Sequence, residues 1–133
     1  MSRAVNPEVG GRSDEGILIV DDSTFLRNKV RKVLERGGYL VIGEAEDGAS
    51  AVAQYRHLNP ALVTMDVVMP HMDGMQATRE IRAIDPAARV VMVTSLGNQE
   101  QVLEALRAGA LNFLVKPFSA EQLIRVVKRA LRS

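Results

Sequence analysis

The chain has 133 residues, a formal net charge of +1, 47% hydrophobic residues and no cysteine. A chain of this length is expected to form one domain with a substantial core. The small net charge argues against broad binding to nucleic acid or an acidic membrane, and the lack of cysteine excludes disulfides and thiolate metal sites. No apolar run approaches the roughly 20 residues that cross a bilayer, and no signal-peptide core is present. We therefore expect a cytoplasmic protein without membrane insertion.

Short apolar runs alternate with amphipathic segments along most of the chain. Residues 1–15 are polar and show no period, which predicts a mobile tail ahead of a domain over residues 16–133. The predicted strands are Ile17–Val20, Tyr39–Ile42, Ala61–Met65, Val90–Thr94 and Asn112–Val115. Strands that alternate with helices indicate an α/β fold, in which a parallel sheet carries helices on both faces.

Each predicted helix follows a residue that can cap its first turn. Ser119 is joined by Gln122 three residues later, which predicts a capping box for the last helix. The fourth predicted helix carries Val102, Leu103 and Leu106 as its apolar residues. The predicted capping or opening residues are Ser23, Asp47, Asp73, Asn98 and Ser119.

Polar side chains follow four of the five predicted strands. They are Asp21 and Asp22 after the first strand, Asp66 after the third, Thr94 and Ser95 at the end of the fourth, and Lys116 with Pro117 after the fifth. Because the carboxyl ends of parallel strands meet at one edge of a sheet, we expect these groups to converge there. Asp66 alone would more commonly cap a turn, so the prediction depends on the other residues at the same edge.

Three neighbouring carboxylates would repel one another once ionised, and a divalent cation would relieve that repulsion. Oxygen ligands without cysteine favour Mg²⁺. Metal and lysine together suit phosphoryl transfer to a carboxylate. Asp66 stands alone on a central strand and is the candidate acceptor, while Asp21 and Asp22 are better suited to the metal.

Five motifs resemble the receiver domain of bacterial response regulators. They are Ile17-Leu-Ile-Val-Asp-Asp22, Met65-Asp66-Val-Val-Met-Pro70, Met72-Asp-Gly74, Val93-Thr94-Ser95 and Val115-Lys116-Pro117-Phe118. Each motif is weak alone, but all five in this order and spacing are highly specific, and the resemblance covers about Gly16 to Arg132. It implies a doubly wound, flavodoxin-like sheet of five parallel strands in the order 2-1-3-4-5.

The resemblance also implies a phosphoacceptor site. Asp66 would accept a phosphoryl group from a histidine kinase, and Asp22, Asp66 and the backbone carbonyl of Val68 would ligate Mg²⁺, with Asp21 acting through a metal-bound water. Lys116 would pair with the phosphoryl group.

The remaining implied residues belong to the switch and to one turn. Thr94, with Ser95 beside it, would follow the phosphoryl group as the switch hydroxyl. Phe113 matches the aromatic residue of the family's switch, although by residue type alone it could equally be a plain core residue. The resemblance finally implies a cis peptide bond between Lys116 and Pro117.

The expected function is a stand-alone receiver that is not an enzyme and signals by protein contact. Its target would bind the face formed by the fourth helix, fifth strand and fifth helix, without direct DNA binding. The overall pattern is most like chemotaxis regulators that act on the flagellar motor switch; a receiver of another phosphorelay, in the cell cycle, development or stress, is the close alternative.

Two other classes stay open at this point. A Mg²⁺-dependent aspartyl-phosphate phosphatase of the haloacid dehalogenase type shares the Asp, Lys and metal, but has its nucleophile in an Asp-x-Asp pattern on the first strand. A flavodoxin-like cofactor carrier needs a phosphate-binding loop after the first strand. Asp21 and Asp22 place negative charge where that phosphate would lie.

Overall fold

The computed structural model describes residues 16–133, so the predicted mobile tail over residues 1–15 lies outside the described part. Its strands form one parallel sheet in the order β2-β1-β3-β4-β5. The predicted α/β class and strand order are therefore confirmed. In chain order the elements are β1 Gly16–Val20, α1 Thr24–Arg36, β2 Leu40–Ala45, α2 Gly48–Leu58, β3 Leu62–Met65, α3 Gly74–Ile84, β4 Val90–Thr94, α4 Gln99–Ala108, β5 Asn112–Val115 and α5 Ala120–Leu131.

Side-chain caps determine where each helix begins. In every helix the cap side chain accepts a hydrogen bond from a backbone N–H of the first turn, and α5 has the complete capping box of Ser119 and Gln122. Each such cap stabilises its helix by about 1 kcal/mol. The five caps are Ser23, Asp47, Asp73, Asn98 and Ser119, as the sequence predicts.

The second strand is longer than its apolar run. The sequence predicts a strand over Tyr39–Ile42, which is wrong at the downstream end because β2 continues to Ala45. Glu44 interrupts the apolar pattern, but its carboxylate is matched by two arginines. Arg27 lies 2.8 Å and Arg31 2.7 Å from its oxygens. A paired charge is tolerated on an edge strand where an isolated one would end the strand.

The sheet separates two hydrophobic layers. β1, β3 and β4 are buried along their whole lengths, as central parallel strands should be. Leu18, Met65 and Met92 point toward α2, α3 and α4, whereas Ile17 and Leu123 belong to the layer under α1 and α5. This packing holds the carboxyl ends of the three central strands side by side.

The fourth helix departs from the usual apolar-inward arrangement. Its buried residues are Ala105 and Ala108, while Leu103 and Leu106 are 43% and 47% exposed. Two further apolar side chains close to β5 are exposed as well. We call Leu103, Leu106, Leu111 and Val115 the α4–β5 patch.

The opposite edge of the sheet gathers the upstream ends of the strands. The Ala61 amide donates to the Gly16 carbonyl at 2.7 Å. The Arg89 guanidinium, just before β4, donates to the Ser133 carbonyl at 2.9 Å. Both ends of the described chain therefore lie away from the carboxyl edge. Within residues 16–133 no helix has the length and apolar character needed to cross a membrane.

Candidate functional site

Two aspartates leave adjacent central strands at the same level. β1 and β3 pair so that Val20 lies opposite Met65, and the next residues are Asp21 and Asp66. The ladder extends one step further, because the Asp66 amide donates to the Val20 carbonyl at 3.0 Å and the Asp21 amide to Ala45 at 3.1 Å. The parallel register thus sets the two carboxylates side by side.

Three carboxylates form a cluster at this edge. Asp21, Asp22 and Asp66 each offer an oxygen, and these oxygens lie within 4.8 Å of one another. Asp21 and Asp66 are only 5% and 7% exposed, whereas Asp22 is open to solvent. Hard oxygen donors with one face open to water fit Mg²⁺, which keeps several waters when it binds protein. The cluster predicted from the sequence is therefore present.

Lys116 brings a positive charge to the two buried carboxylates. Its Nζ lies 2.8 Å from Asp21 Oδ2 and 3.4 Å from Asp66 Oδ2. The Lys116 amide donates to the Thr94 carbonyl at 2.8 Å, which fixes the residue just past the end of β5. The Lys116–Pro117 peptide bond is cis. The lysine is thus anchored by its backbone and reaches across β4 to the carboxylates on β1 and β3.

The two oxygens of Asp66 have different surroundings. Oδ1 accepts a hydrogen bond from the Val67 amide at 2.8 Å, whereas Oδ2 faces Lys116. Burial raises the pKa of the Asp66 carboxyl above its ordinary value; Lys116 opposes this rise and the charge of Asp21 adds to it. Asp66 is thus a partly desolvated carboxylate with one oxygen restrained and the other directed at a cation.

The remaining predicted residues form no hydrogen bond or ion pair with the carboxylates within the described chain. Thr94 is fully buried, and its Oγ1 accepts from the Leu96 amide at 3.3 Å. Ser95 is exposed at the start of the following loop. Phe113 is half-buried against the layer under α2, α3 and α4, and Val68 is 59% exposed.

Gly74 supports the backbone of Asp66. From the sequence it is recognisable only as the start of a helix. A Cβ placed on Gly74 would lie 1.9 Å from the Asp66 carbonyl oxygen, so no larger residue fits without moving backbone. The Gly74 amide also donates to the Val67 carbonyl at 2.7 Å. The first turn of α3 therefore packs directly against the backbone of Asp66.

Arg27 is a second support, which sequence reasoning missed. Its guanidinium donates to the Asp21 carbonyl at 2.6 Å and to Glu44 at 2.8 Å. Arg31 donates to the other oxygen of Glu44 at 2.8 Å. The charged Glu44 at the end of an apolar run is the one sequence signal that pointed to such a partner. This network joins α1 and β2 to the backbone of the acidic loop.

Fold and site together define a doubly wound α/β domain whose charged edge suits Mg²⁺ and a phosphoryl group. Residues 17–128 match the family model of the response regulator receiver domain. The chain belongs to this family. That membership separates it from the phosphatase and flavodoxin classes that the sequence left open.

Individual relatives extend the comparison over most of the chain. It is 45% identical to the chemotaxis protein CheY of Bacillus subtilis over 115 residues, which cover 86% of this chain and 96% of that protein. It is 44% identical over 115 residues to protein CcdB of the same organism, with the same coverage. CheY in the CheX–CheY–BeF₃–Mg²⁺ complex from Borrelia burgdorferi is a structural neighbour with a TM-score of 0.83, 35% identity and coverage of 86% of this chain and 87% of that one.

Proposed function

We propose that this protein is a phosphorylation switch in which Asp66 accepts a phosphoryl group from the phosphohistidine of a kinase. The phosphorus–nitrogen bond of the donor breaks as a bond forms between phosphorus and Asp66 Oδ2. The observation that supports this role is the contrast between the oxygens of Asp66. Oδ1 is held by the Val67 amide, while Oδ2 lies beside the Lys116 ammonium, which can stabilise negative charge on the transferred group.

A magnesium ion would be held by Asp22, Asp66 and the backbone carbonyl of Val68, with Asp21 acting indirectly through a water. When bound, it would neutralise charge on the phosphoryl oxygens. The protein's own part is to keep its carboxylates convergent, which it does through the β1–β3 register and the Lys116 contacts.

The switch would depend on Thr94 and Lys116. Thr94 Oγ1 currently accepts from the Leu96 amide, so its own proton remains available to donate to a phosphoryl oxygen. That new bond would compete with the present arrangement of the loop before α4. Moving a two-state equilibrium from 1:99 to 99:1 needs about 5.5 kcal/mol, which several charge-assisted bonds to one phosphoryl group can supply. Ser95 follows Thr94 at the start of this loop, and Phe113 would be the aromatic residue of the switch.

The output surface would be the face of α4, β5 and α5. The α4–β5 patch exposes four large apolar side chains there, an unusual use of surface on a small domain. The chemotaxis relative in Bacillus subtilis and the CheX complex of a second CheY support a chemotaxis target, such as the flagellar motor switch. The relative named CcdB has nearly the same identity but is not named as a chemotaxis protein, so a receiver of another pathway stays a second candidate.

Incubation with acetyl phosphate and Mg²⁺, followed by intact-mass measurement, tests the acceptor. The wild-type chain should gain one phosphoryl group, and Asp66→Ala should gain none. A Glu80→Ala variant serves as a control, because this half-buried carboxylate on α3 lies outside the acidic cluster. Labelling that persists in Asp66→Ala would overturn the assignment.

Complementation separates the two signalling pathways. Expression in a Bacillus subtilis strain that lacks its own chemotaxis CheY should restore spreading in soft agar, and Asp66→Ala should not. A chain that is phosphorylated normally but fails to restore spreading would favour the other pathway.

A further inference from the structure

A second concave surface lies between α1 and α5. It is a groove of about 480 Å³ whose lining includes none of the residues of the acidic cluster. Val33 and Ile124 form part of its apolar lining, and both are only half-buried. We refer to the surface lined by Val33, Arg36, Ala120, Ile124, Arg125 and Lys128 as the α1–α5 groove.

The groove depends on a glycine at the end of α1. A Cβ on Gly37 would lie 2.6 Å from Ile124 Cδ1, so the missing side chain lets α5 approach the end of α1 closely. Ile124 also packs against the layer under α1 and α5. The apolar lining is therefore supported from below and is not a loose side chain on the surface.

The rim of the groove carries unpaired positive charge. Arg36, Arg125 and Lys128 are exposed, and none of them forms an ion pair with another residue of the described chain. Glu121 is the acidic residue of the lining. By contrast, Arg27 on α1 is already committed to Glu44. Three cations around one carboxylate make a positive rim over an apolar surface.

We propose that the α1–α5 groove binds an acidic amphipathic helix of a partner protein. An apolar lining between two helices accepts the apolar stripe of a third helix, and acidic residues beside that stripe would meet the rim cations. A second copy of the chain would bring like charges together. A bilayer surface is too flat to reach a concave lining. Among the described residues that line the groove, none has an aromatic side chain on which nucleic-acid bases could stack.

This interaction would not require the phosphoryl group. The lining of the groove does not include Asp21, Asp22, Asp66 or Lys116, and its occupant would be selected by charge and shape. Binding is therefore expected in Asp66→Ala, so failure of the groove proposal and failure of the proposed switch can be told apart.

The test uses the full ¹⁵N-labelled chain and a synthetic capped peptide of about 18 residues, long enough to be helical in water. Its sequence places Leu at helical spacing and Glu on both flanks. We expect amide shifts on α1 and α5 in and around the groove, and binding that weakens as salt is raised. A matched peptide with Lys in place of Glu should bind far more weakly.

Two charge-reversed variants provide the matched comparison. The double variant Arg36→Glu with Arg125→Glu should lower the affinity for the acidic peptide by about tenfold, because two exposed ion pairs become repulsions. Arg56→Glu with Arg107→Glu changes net charge equally on α2 and α4 and should leave binding unchanged. All four side chains are exposed, so both variants should fold.

Several results would overturn the proposal. Equal binding of the Lys peptide, shifts that map outside α1 and α5, or undiminished binding by the groove variant would each do so. If anionic vesicles or a DNA duplex caused larger amide shifts in the groove than the acidic peptide does, the occupant would be a membrane surface or a nucleic acid and not a helix. Groove shifts that vary with protein concentration alone would identify a second copy of the chain.

Discussion

Two regions of the molecule differ in how tightly they are packed. One is the acidic edge, the end of the sheet that carries Asp21, Asp22 and Asp66, and the other is the α4–β5 patch. At the acidic edge, Gly74 packs against the Asp66 carbonyl so closely that a Cβ would not fit. Arg27 donates hydrogen bonds to the Asp21 carbonyl at 2.6 Å and to Glu44 at 2.8 Å. Around α4, large apolar side chains face solvent. The ion pair that joins α4 to α3, Arg79–Glu104, spans 3.5 Å between half-exposed groups.

The contrast suggests a division of labour within one small domain. Groups that would bind a metal and a phosphoryl group under the proposed function are fixed by close backbone contacts and paired charges. The surface that would respond has few such restraints, and regions of low local stability are those that move most readily. Changes to the two regions should therefore differ in their effect on stability, and the following comparisons test this.

The largest difference is expected between two glycine substitutions. Gly74→Ala forces a Cβ against the Asp66 carbonyl and should lower the free energy of unfolding by about 3 kcal/mol. In Gly97→Ala the atoms nearest to the new Cβ belong to the Val115 side chain, which is 42% exposed and can turn away, so this change should cost less than about 1 kcal/mol. Urea unfolding of both variants measures the difference. Equal losses would contradict the view that the acidic edge is the more rigid region.

The next largest difference in stability is expected between two arginine substitutions. Arg27→Met removes charge-assisted bonds to the Asp21 carbonyl and Glu44 and should cost about 2 kcal/mol. It should also weaken Mg²⁺ binding in a calorimetric titration, because the acidic loop loses its anchor. Arg79→Met, its counterpart near α4, should change stability by less than about 0.5 kcal/mol. A weaker Mg²⁺ affinity in Arg79→Met would remove the distinction.

Substitution of Asp66, the proposed acceptor, should have a smaller, pH-dependent effect on stability. Because burial raises the pKa of Asp66, the folded chain holds that proton more tightly than the unfolded chain. The resulting stability is present below the unfolded pKa and is lost as pH rises through the folded value. Asp66→Asn should therefore be more stable than wild type at neutral pH without Mg²⁺, with each 1 kcal/mol raising Tm by about 4 °C.

Thermal unfolding from pH 3 to 8 checks this prediction. The advantage of Asp66→Asn should shrink as the wild-type carboxyl becomes protonated. Asp22→Asn is a useful control, since that carboxylate is exposed and has less desolvation to relieve. A gain for Asp66→Asn that is the same at every pH would show that ionisation is not its cause.

The smallest effect on stability is expected in the α4–β5 patch. Leu103→Ser with Leu106→Ser should change the free energy of unfolding by about 0.5 kcal/mol or less, because both side chains already face solvent. Labelling by acetyl phosphate should persist, while spreading in the complementation assay should be lost. Normal spreading by this variant would argue against the patch as the output surface.

Parallel pairing explains why so much of the acidic edge could be predicted. Once strands and caps are recognised, Asp21, Asp66 and Lys116 can only emerge at the same edge, and the structure brings them together. The end of β2 was predicted wrongly because the charge of Glu44 is acceptable in the strand only when it is paired, and its partners are not evident from the sequence. Those partners, Arg27 and Arg31, are long side chains whose directions the sequence does not specify.

Other features also depend on three-dimensional proximity. Gly74 reads as an ordinary residue after a helix cap until the distance to the Asp66 carbonyl is known. Leu103 and Leu106 look like core residues by composition, yet α4 buries its alanines.

The hydrogen bonds at the upstream edge have a practical consequence. Gly16 and Ser133 are bound to the segments just before β3 and β4, at the end of the sheet away from the carboxylates. An affinity tag or a linker to a sensor surface, joined directly to Ser133, would start from the far side of the molecule. Immobilised protein should thus keep its acidic edge open to solution, which makes kinase transfer measurable directly on a chip.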